Sequence, residues 1–349
     1  MREIVVAKIT DLQNGQMQQI EVEGSQILLS KIDDKFYATG AFCTHYGAPL
    51  AKGILCGEKI VCPWHNACFN AIAGQQIEPP GLDSLATFLT RVEGENVLVK
   101  LPQDIPQRRT LEMADYIPRS DERTFAILGA GAAGVNAAET LRKQGFQGNI
   151  VLIGKSAKLP YDRTKLSKAY LQGQAEADSL TLRDEDFYNQ YGIELRLGKA
   201  VTKVDLLNKS LTFEDDSRLD FDSLLLATGG KARKLNIPGA DLPNVFTIRK
   251  TEDVDPILDA ISYGETTGQS TFEGNLQTTP TKNALVIGSS FIGMEAEASL
   301  LQHELKVTDV STDKVTFQKI MGVWHQRYGI YWRWKRRICS LRKWLKNCC

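Results

Sequence analysis

The sequence is short of several things, and each shortage excludes something. Only four histidines occur in 349 residues, so an imidazole site must come from a very small pool. No cysteine lies between Cys68 and Cys339, which removes a redox dithiol from the middle of the chain. No apolar run approaches the ~18 residues of a transmembrane helix. The start, Met1-Arg2-Glu3-Ile4-Val5-Val6, is charged too early and apolar too briefly for a signal peptide. Net charge is zero, so the chain as a whole has no electrostatic reason to bind nucleic acid or membrane. Seven cysteines without a secretory signal point to metal ligation in a reducing compartment, and the expected location is cytoplasmic. This length predicts two or three domains.

Two of the four histidines stand beside cysteines, in Cys43-Thr44-His45 and Cys62-Pro63-Trp64-His65. A Rieske-type [2Fe-2S] centre requires this set, because two thiolates hold one iron and two imidazoles the other. A Cys2His2 zinc site is the rival with the same ligands, but zinc fingers favour Cys pairs and His pairs, whereas each half here supplies one of each. Gly47, Pro49, Leu50, Gly53 and Pro63 are loop residues suited to folding two hairpin tips over a cluster. The metal ligands expected are therefore Cys43, His45, Cys62 and His65.

Around them, residues 3–8, 17–22, 25–30, 36–39, 85–92 and 96–101 read as short strands separated by Asn14-Gly15, Gly24, Asp33-Asp34 and Gly94. The first hundred residues resemble the Rieske ferredoxins over their whole length. Respiratory Rieske proteins carry a second cysteine pair and Ser and Tyr donors to the cluster sulfurs. The equivalent positions here hold Ala48, Trp64, Ala67 and Phe69. The resemblance thus implies a potential at the low end of the Rieske range, near about −150 mV. Cys56 and Cys68 read as small thiols without a site role.

Pro102, Pro106 and Pro118 with Arg108, Arg109 and Arg119 mark a linker. A strand over 125–128 then meets Gly129-Ala130-Gly131-Ala132-Ala133-Gly134, a helix over 135–144 and a strand over 150–153. In this βαβ context G-x-G-x-x-G predicts a pyrophosphate cradle on a helix N-terminus at Gly129, Gly131 and Gly134. The acid expected about 20 residues on is missing, since the second strand ends in Gly154-Lys155-Ser156. A second strand–turn–helix begins at Ala284, with Gly288 and Gly293 bracketing Ser290 in place of the middle glycine.

Tyr161-Asp162-Arg163, Leu166-Ser167-Lys168 and Ala227-Thr228-Gly229 complete a likeness to FAD-dependent pyridine nucleotide oxidoreductases of the ferredoxin-reductase and apoptosis-inducing-factor types. With the domain ahead of it, the whole resembles the apoptosis-inducing factor 3 (apoptosis-inducing-factor-like) group, up to Gly322. The resemblance implies FAD at Arg163, Thr228 and Gly229, NAD(P)H at Gly288 and Gly293, and a flavin-side Lys168 paired with Glu295. The disulfide reductases of this superfamily carry C-x4-C after the first helix, and its absence here excludes dithiol exchange at the flavin. Ser311, at the end of the strand 305–310, discriminates neither NADH nor NADPH, and Asp309 interrupts what is expected to be a buried strand.

After Gly322 the composition changes. Eight Lys and Arg, no acid and four of the five tryptophans fall between Val323 and Cys349, so this stretch is +8 and the remainder −8. Basic residues interleaved with tryptophan suit an acidic membrane surface or a partner groove. Out-of-frame or intron-derived sequence accounts for all these changes together.

The expected architecture is multidomain: a small antiparallel β Rieske domain followed by incomplete α/β Rossmann-like FAD- and NAD(P)H-binding domains. Its boundaries are 1–102 for the Rieske domain, 103–123 for the linker, 124–248 for FAD, 249–322 for NAD(P)H and 323–349 for an aberrant tail. The chemistry expected is hydride transfer from a nicotinamide dinucleotide to FAD and single-electron passage to the [2Fe-2S] cluster, with an unnamed protein as outside electron acceptor or donor. The alternatives are a stand-alone Rieske electron carrier with a vestigial flavoprotein half, and a tail-mediated membrane or partner binder. The Rieske module is expected to fold and take its cluster, with flavin affinity weak or lost.

Overall fold

A computed structural model describes residues 1–110, 113–114, 116–262 and 283–312. The basic tail expected at 323–349 lies outside the described residues. The chain divides into two units, one ending at Met113 and the other starting at Ala114.

The first unit is antiparallel β. Strands β1 (Arg2–Lys8), β2 (Met17–Val22), β3 (Ser25–Ile32) and β4 (Lys35–Gly40) precede four short strands, β5 (Ile54–Cys56), β6 (Lys59–Val61), β7 (Cys68–Asn70) and β8 (Gln76–Glu78). They are followed by β9 (Ser84–Leu85), β10 (Thr87–Glu93), β11 (Asn96–Leu101) and β12 (Arg108–Arg109). The main sheet runs β1-β11-β10-β4-β3-β2, and β5-β6-β7-β8 form a second sheet. Strand β3 shows why the unit holds together. Its side chains alternate between faces, so Ile27 and Leu29 join one core with Phe36, Val97, Val99 and Leu101. Leu28 joins another with Leu50, Ile60, Phe69 and Leu85. That second core contains Cys43 and Cys62, so two expected ligands are also core residues.

The start of the expected linker is not free. The Gln107 side chain accepts the Ala41 N–H at 2.9 Å and donates to the Gln26 carbonyl at 2.8 Å. Strand β12 pairs with β9, and Arg109 donates to the Ala73 carbonyl at 2.7 Å. An amide side chain with a donor and an acceptor can satisfy two backbone groups at a sheet rim, which proline and arginine content does not reveal.

The second unit is α/β. Strand β13 (Thr124–Leu128) leads through the first glycine turn into α1 (Ala132–Lys143) and β14 (Asn149–Gly154). Then come α2 (Glu185–Gln190), β15 (Ile193–Leu197), a meander of β16 (Val201–Asp205), β17 (Ser210–Phe213) and β18 (Arg218–Asp220), and β19 (Ser223–Leu226). The parallel sheet is ordered β15-β14-β13-β19. Strand β14 is buried through Ile150, Val151, Leu152 and Ile153, as a central parallel strand requires. Arg142 of α1 is 1% exposed. Its guanidinium donates to the carbonyls of Tyr191, Phe146, Gly148 and Gly192 at 2.6–2.9 Å, tying α1 to the entry of β15.

Helix α3 (Thr251–Ser262) precedes β20 (Asn283–Ile287), α4 (Phe291–Gln302) and β21 (Lys306–Val310), the two strands pairing in parallel. Asp309 does not interrupt a buried strand as expected. Among the described residues β21 pairs only with β20, and Lys306, Thr308, Asp309 and Val310 are exposed. No helix among the described residues is long and apolar enough to cross a membrane.

Candidate functional site

Two loops of the first unit carry the Cys and His residues. One, residues 43–48, is closed by the antiparallel bridge Phe42–Pro49. The other, 62–67, caps the β6–β7 hairpin at the pair Val61–Cys68. They follow the same backbone path. The N–H groups of Cys43 and Cys62 donate to the carbonyls of Ala48 and Ala67, each at 2.9 Å. Those of Gly47 and Asn66 return to the carbonyls of Cys43 and Cys62 at 2.9 and 3.3 Å. Each turn places its fifth residue in the left-handed region, filled by Gly47 (φ 71°) and Asn66 (φ 59°). Main-chain N–H groups of His45 and Tyr46 donate toward the Cys43 sulfur, and those of Trp64 and His65 toward Cys62. The histidine is third in the first loop and fourth in the second.

The four side chains meet as two like pairs. Cys43 and Cys62, both buried, hydrogen-bond to each other. That contact lowers the Cys62 thiol and, with burial, raises Cys43. His45 and His65 turn their Nδ1 atoms toward each other at 3.2 Å, with rings 4.9 Å apart near the surface. Among the described residues no three His, Cys, Asp or Glu side chains gather as ligands for a single ion. A thiol pair beside an imidazole pair is the donor set that a [2Fe-2S] centre divides between its irons, and the residues fit that group.

A third loop backs the first. Thr44 donates to the Asp83 carbonyl at 2.8 Å. A Cβ at Gly81 would stand 2.9 Å from both Phe69 Cζ and Thr44 Oγ1. The Gly81–Asp83 support was not singled out by motif reading, because a contact 39 residues away leaves no local pattern.

In the second unit Gly129 adopts φ 128°, and a Cβ there would overlap the Ala227 carbonyl, so the first glycine turn abuts Thr228-Gly229. A Cβ at Gly134 would overlap the Gly129 carbonyl, whereas one at Gly131 would project into open space. Close packing at two glycines and room at the middle one suit backbone approach by a pyrophosphate at the start of α1. The turn before α4 repeats this geometry. Gly288 has φ 114° and Gly293 would clash with its carbonyl, while Ser290 holds the same extended cap conformation as Gly131. Ser290 therefore costs no backbone strain, but its side chain stands at the position that Gly131 leaves open.

Lys168 Nζ lies 2.9 Å from Glu295 Oε2 although 127 positions separate them in sequence. Leu166 and Leu171 pack in one core with Ala296 and Leu300 of α4, which brings the two charges together. Ser167, which motif reading left without a role, donates to the same Glu295 oxygen at 2.6 Å. Gly229 (φ 71°) sits beside Arg249, whose guanidinium is 3.1 Å from the position a Cβ would take. Arg163 is exposed on a single turn, over the ring of Tyr161 at 5.7 Å.

The fold and these residues define a Rieske-type β domain joined to a dinucleotide-fold oxidoreductase unit. The chain belongs to the pyridine nucleotide-disulphide oxidoreductase family, whose model matches residues 123–343, and a Rieske [2Fe-2S] domain model matches residues 2–89. The first match passes the boundary expected at Gly322. Apoptosis-inducing factor 3 of Mus musculus is 39% identical over 326 residues, covering 92% of this chain and 50% of that protein. The ferredoxin–NAD(+) reductase subunit of the Pseudomonas putida benzene 1,2-dioxygenase system is 34% identical over 208 residues, 60% of this chain and 46% of the subunit. The chain thus spans about half the length of these curated relatives. A crystal structure of a ferredoxin reductase from Rhodopseudomonas palustris superposes with a TM-score of 0.51 at 29% identity, over 59% of this chain and 48% of that one.

Proposed function

We propose that this protein is an NAD(P)H oxidoreductase passing electrons between a nicotinamide dinucleotide, FAD and its own [2Fe-2S] cluster, and exchanging them with an electron-transfer protein. The observation that carries the reading is the pairing of Cys43 with Cys62 and of His45 with His65 in one unit of a chain whose other unit holds two glycine turns. When bound, the flavin supplies hydride acceptance and the cluster one-electron storage. The chain's own residues hold and tune these groups. Cys43 and Cys62 bind as thiolates, and the main-chain N–H groups around them favour the charged form. His45 and His65 bind through Nδ1. Gly129, Gly131 and Gly134 seat the FAD pyrophosphate beside Thr228-Gly229, with Arg163 as a further FAD contact. Gly288 and Gly293 seat that of NAD(P)H. Lys168, held by Glu295 and the Thr164 carbonyl, places a positive charge on the flavin side. The protein is cytoplasmic in this reading.

Exposed Leu225, Leu226, Leu285 and Ile287 on β19 and β20 favour a second reading, a Rieske electron carrier with an inactive flavoprotein half. Absorbance and electron paramagnetic resonance of the purified chain separate the two. The first expects flavin bands near about 450 nm beside the reduced-cluster signal. Cluster signal without flavin selects the second reading, and absence of iron and labile sulfide overturns both.

A further inference from the structure

Because the two ligand loops share one backbone path, they can be compared position by position. His45 and Trp64 occupy the third place, and Tyr46 and His65 the fourth. Each loop therefore carries one aromatic side chain where the other carries a ligand. The two aromatics behave differently. Trp64 is 51% exposed. The half-buried Tyr46 ring lies on His45, with centroids 4.0 Å apart at 43°, and meets the edge of His65 at 5.7 Å and 61°. Its main-chain N–H also faces the Cys43 sulfur. One residue outside the ligand set thus touches three of the four ligands.

We propose that Tyr46 is the positioning residue of the imidazole pair, its ring fixing the planes of His45 and His65. The role rests on the Rieske reading above. Free imidazoles rotate about χ2 in broad wells. A neighbouring ring stacked on one and edge-on to the other restricts both rotations, and such aromatic contacts are favourable beyond simple burial. The ring, not the hydroxyl, makes these contacts. Removing it frees both rotations, which alters how the imidazoles would present to iron and so shifts the cluster's spectrum and potential.

The test uses the full chain with Tyr46→Phe, Tyr46→Ala and Tyr46→Leu, leaving the main-chain contact to Cys43 in place. Three quantities are read: the resonance spectrum of the reduced cluster, its midpoint potential, and the rate at which visible absorbance bleaches in air. Tyr46→Phe is expected to match the parent in all three. Tyr46→Ala is expected to bleach about tenfold faster, the usual scale for losing a residue that orients metal ligands, with altered g-values and a shifted potential. Parent-like values for Tyr46→Ala in all three overturn the role. Should Tyr46→Ala take up no cluster, Tyr46→Leu decides, since it keeps apolar bulk without a ring. Parent-like spectrum and lifetime then reject the assignment, and faster bleaching with altered g-values supports it. A parent protein without any Rieske signal overturns the cluster reading instead.

Discussion

The two units of this chain differ in how their sites relate to their cores. In the β unit the thiols of Cys43 and Cys62 are packed with Leu28, Leu50, Ile60 and Phe69, so folding the core assembles half of the proposed ligand set. In the α/β unit the glycine turns sit at the ends of strands whose neighbours are unevenly covered. Strand β14 is buried, whereas β19 exposes Leu225 and Leu226 and β20 exposes Leu285 and Ile287. A site made of core residues is as stable as its domain. A site made of turns at sheet ends depends on what else packs against those sheets.

The largest expected effect breaks this comparison on the first side. Cys43→Ser is expected to abolish cluster binding, with iron and labile sulfide falling to background, while α/β-unit stability is unchanged. A coupled loss of α/β structure by circular dichroism would show that the units are not independent. Next comes the second side. Arg142→Met strands the carbonyls of Tyr191, Phe146, Gly148 and Gly192, at a cost of about 3 kcal/mol or more. Hydrogen exchange is expected to speed up in α1 and β15 and to stay slow in β3 and β4.

A third effect follows from Glu297. Burial, with the nearby Asp309 carboxylate, pushes this side chain from 4.5 up to about 7, and its Oε2 has no partner among the described residues. The folded state therefore holds the proton more tightly than the unfolded state. The stabilisation from this one group is fully present below pH 4.5 and is lost as pH rises through 7, by on the order of 2–3 kcal/mol. Glu297→Gln should flatten that slope in urea titrations of the α/β unit at several pH values. An unchanged slope would remove Glu297 as its source. The smallest effect is at Glu295. Its pair with Lys168 is about one-third exposed, so Glu295→Gln should cost less than about 1 kcal/mol. A thermal midpoint shifted by many degrees would give that pair a structural weight its exposure argues against.

Much of this architecture was legible in the residues. The strands of the β unit appear where alternating apolar residues and turn signals place them, as in β3 and in β11 beyond Gly94, because period-two burial is a local property. The helix expected over 135–144 begins earlier, at Ala132, since its cap is Gly131, which has no side chain to mark the edge. The binding of Gln107 and Arg109 into the β unit was not legible, since their partners lie far away in sequence. Asp309 was misread because the burial of a strand depends on neighbours that the strand itself does not encode.

By itself the sequence determined the donor types, Cys43, His45, Cys62 and His65, and the two glycine turns. Both signals are short, and both follow from coordination chemistry or backbone freedom within a few residues. Only the tertiary structure decided that thiol faces thiol and Nδ1 faces Nδ1, that Tyr46 lies against both imidazoles, and that Lys168 meets Glu295. Apart from the adjacent His45 and Tyr46, these are distances between segments separated in the chain. Packing of the cores around Leu28 and Leu166 sets them, and no local pattern of residues records them.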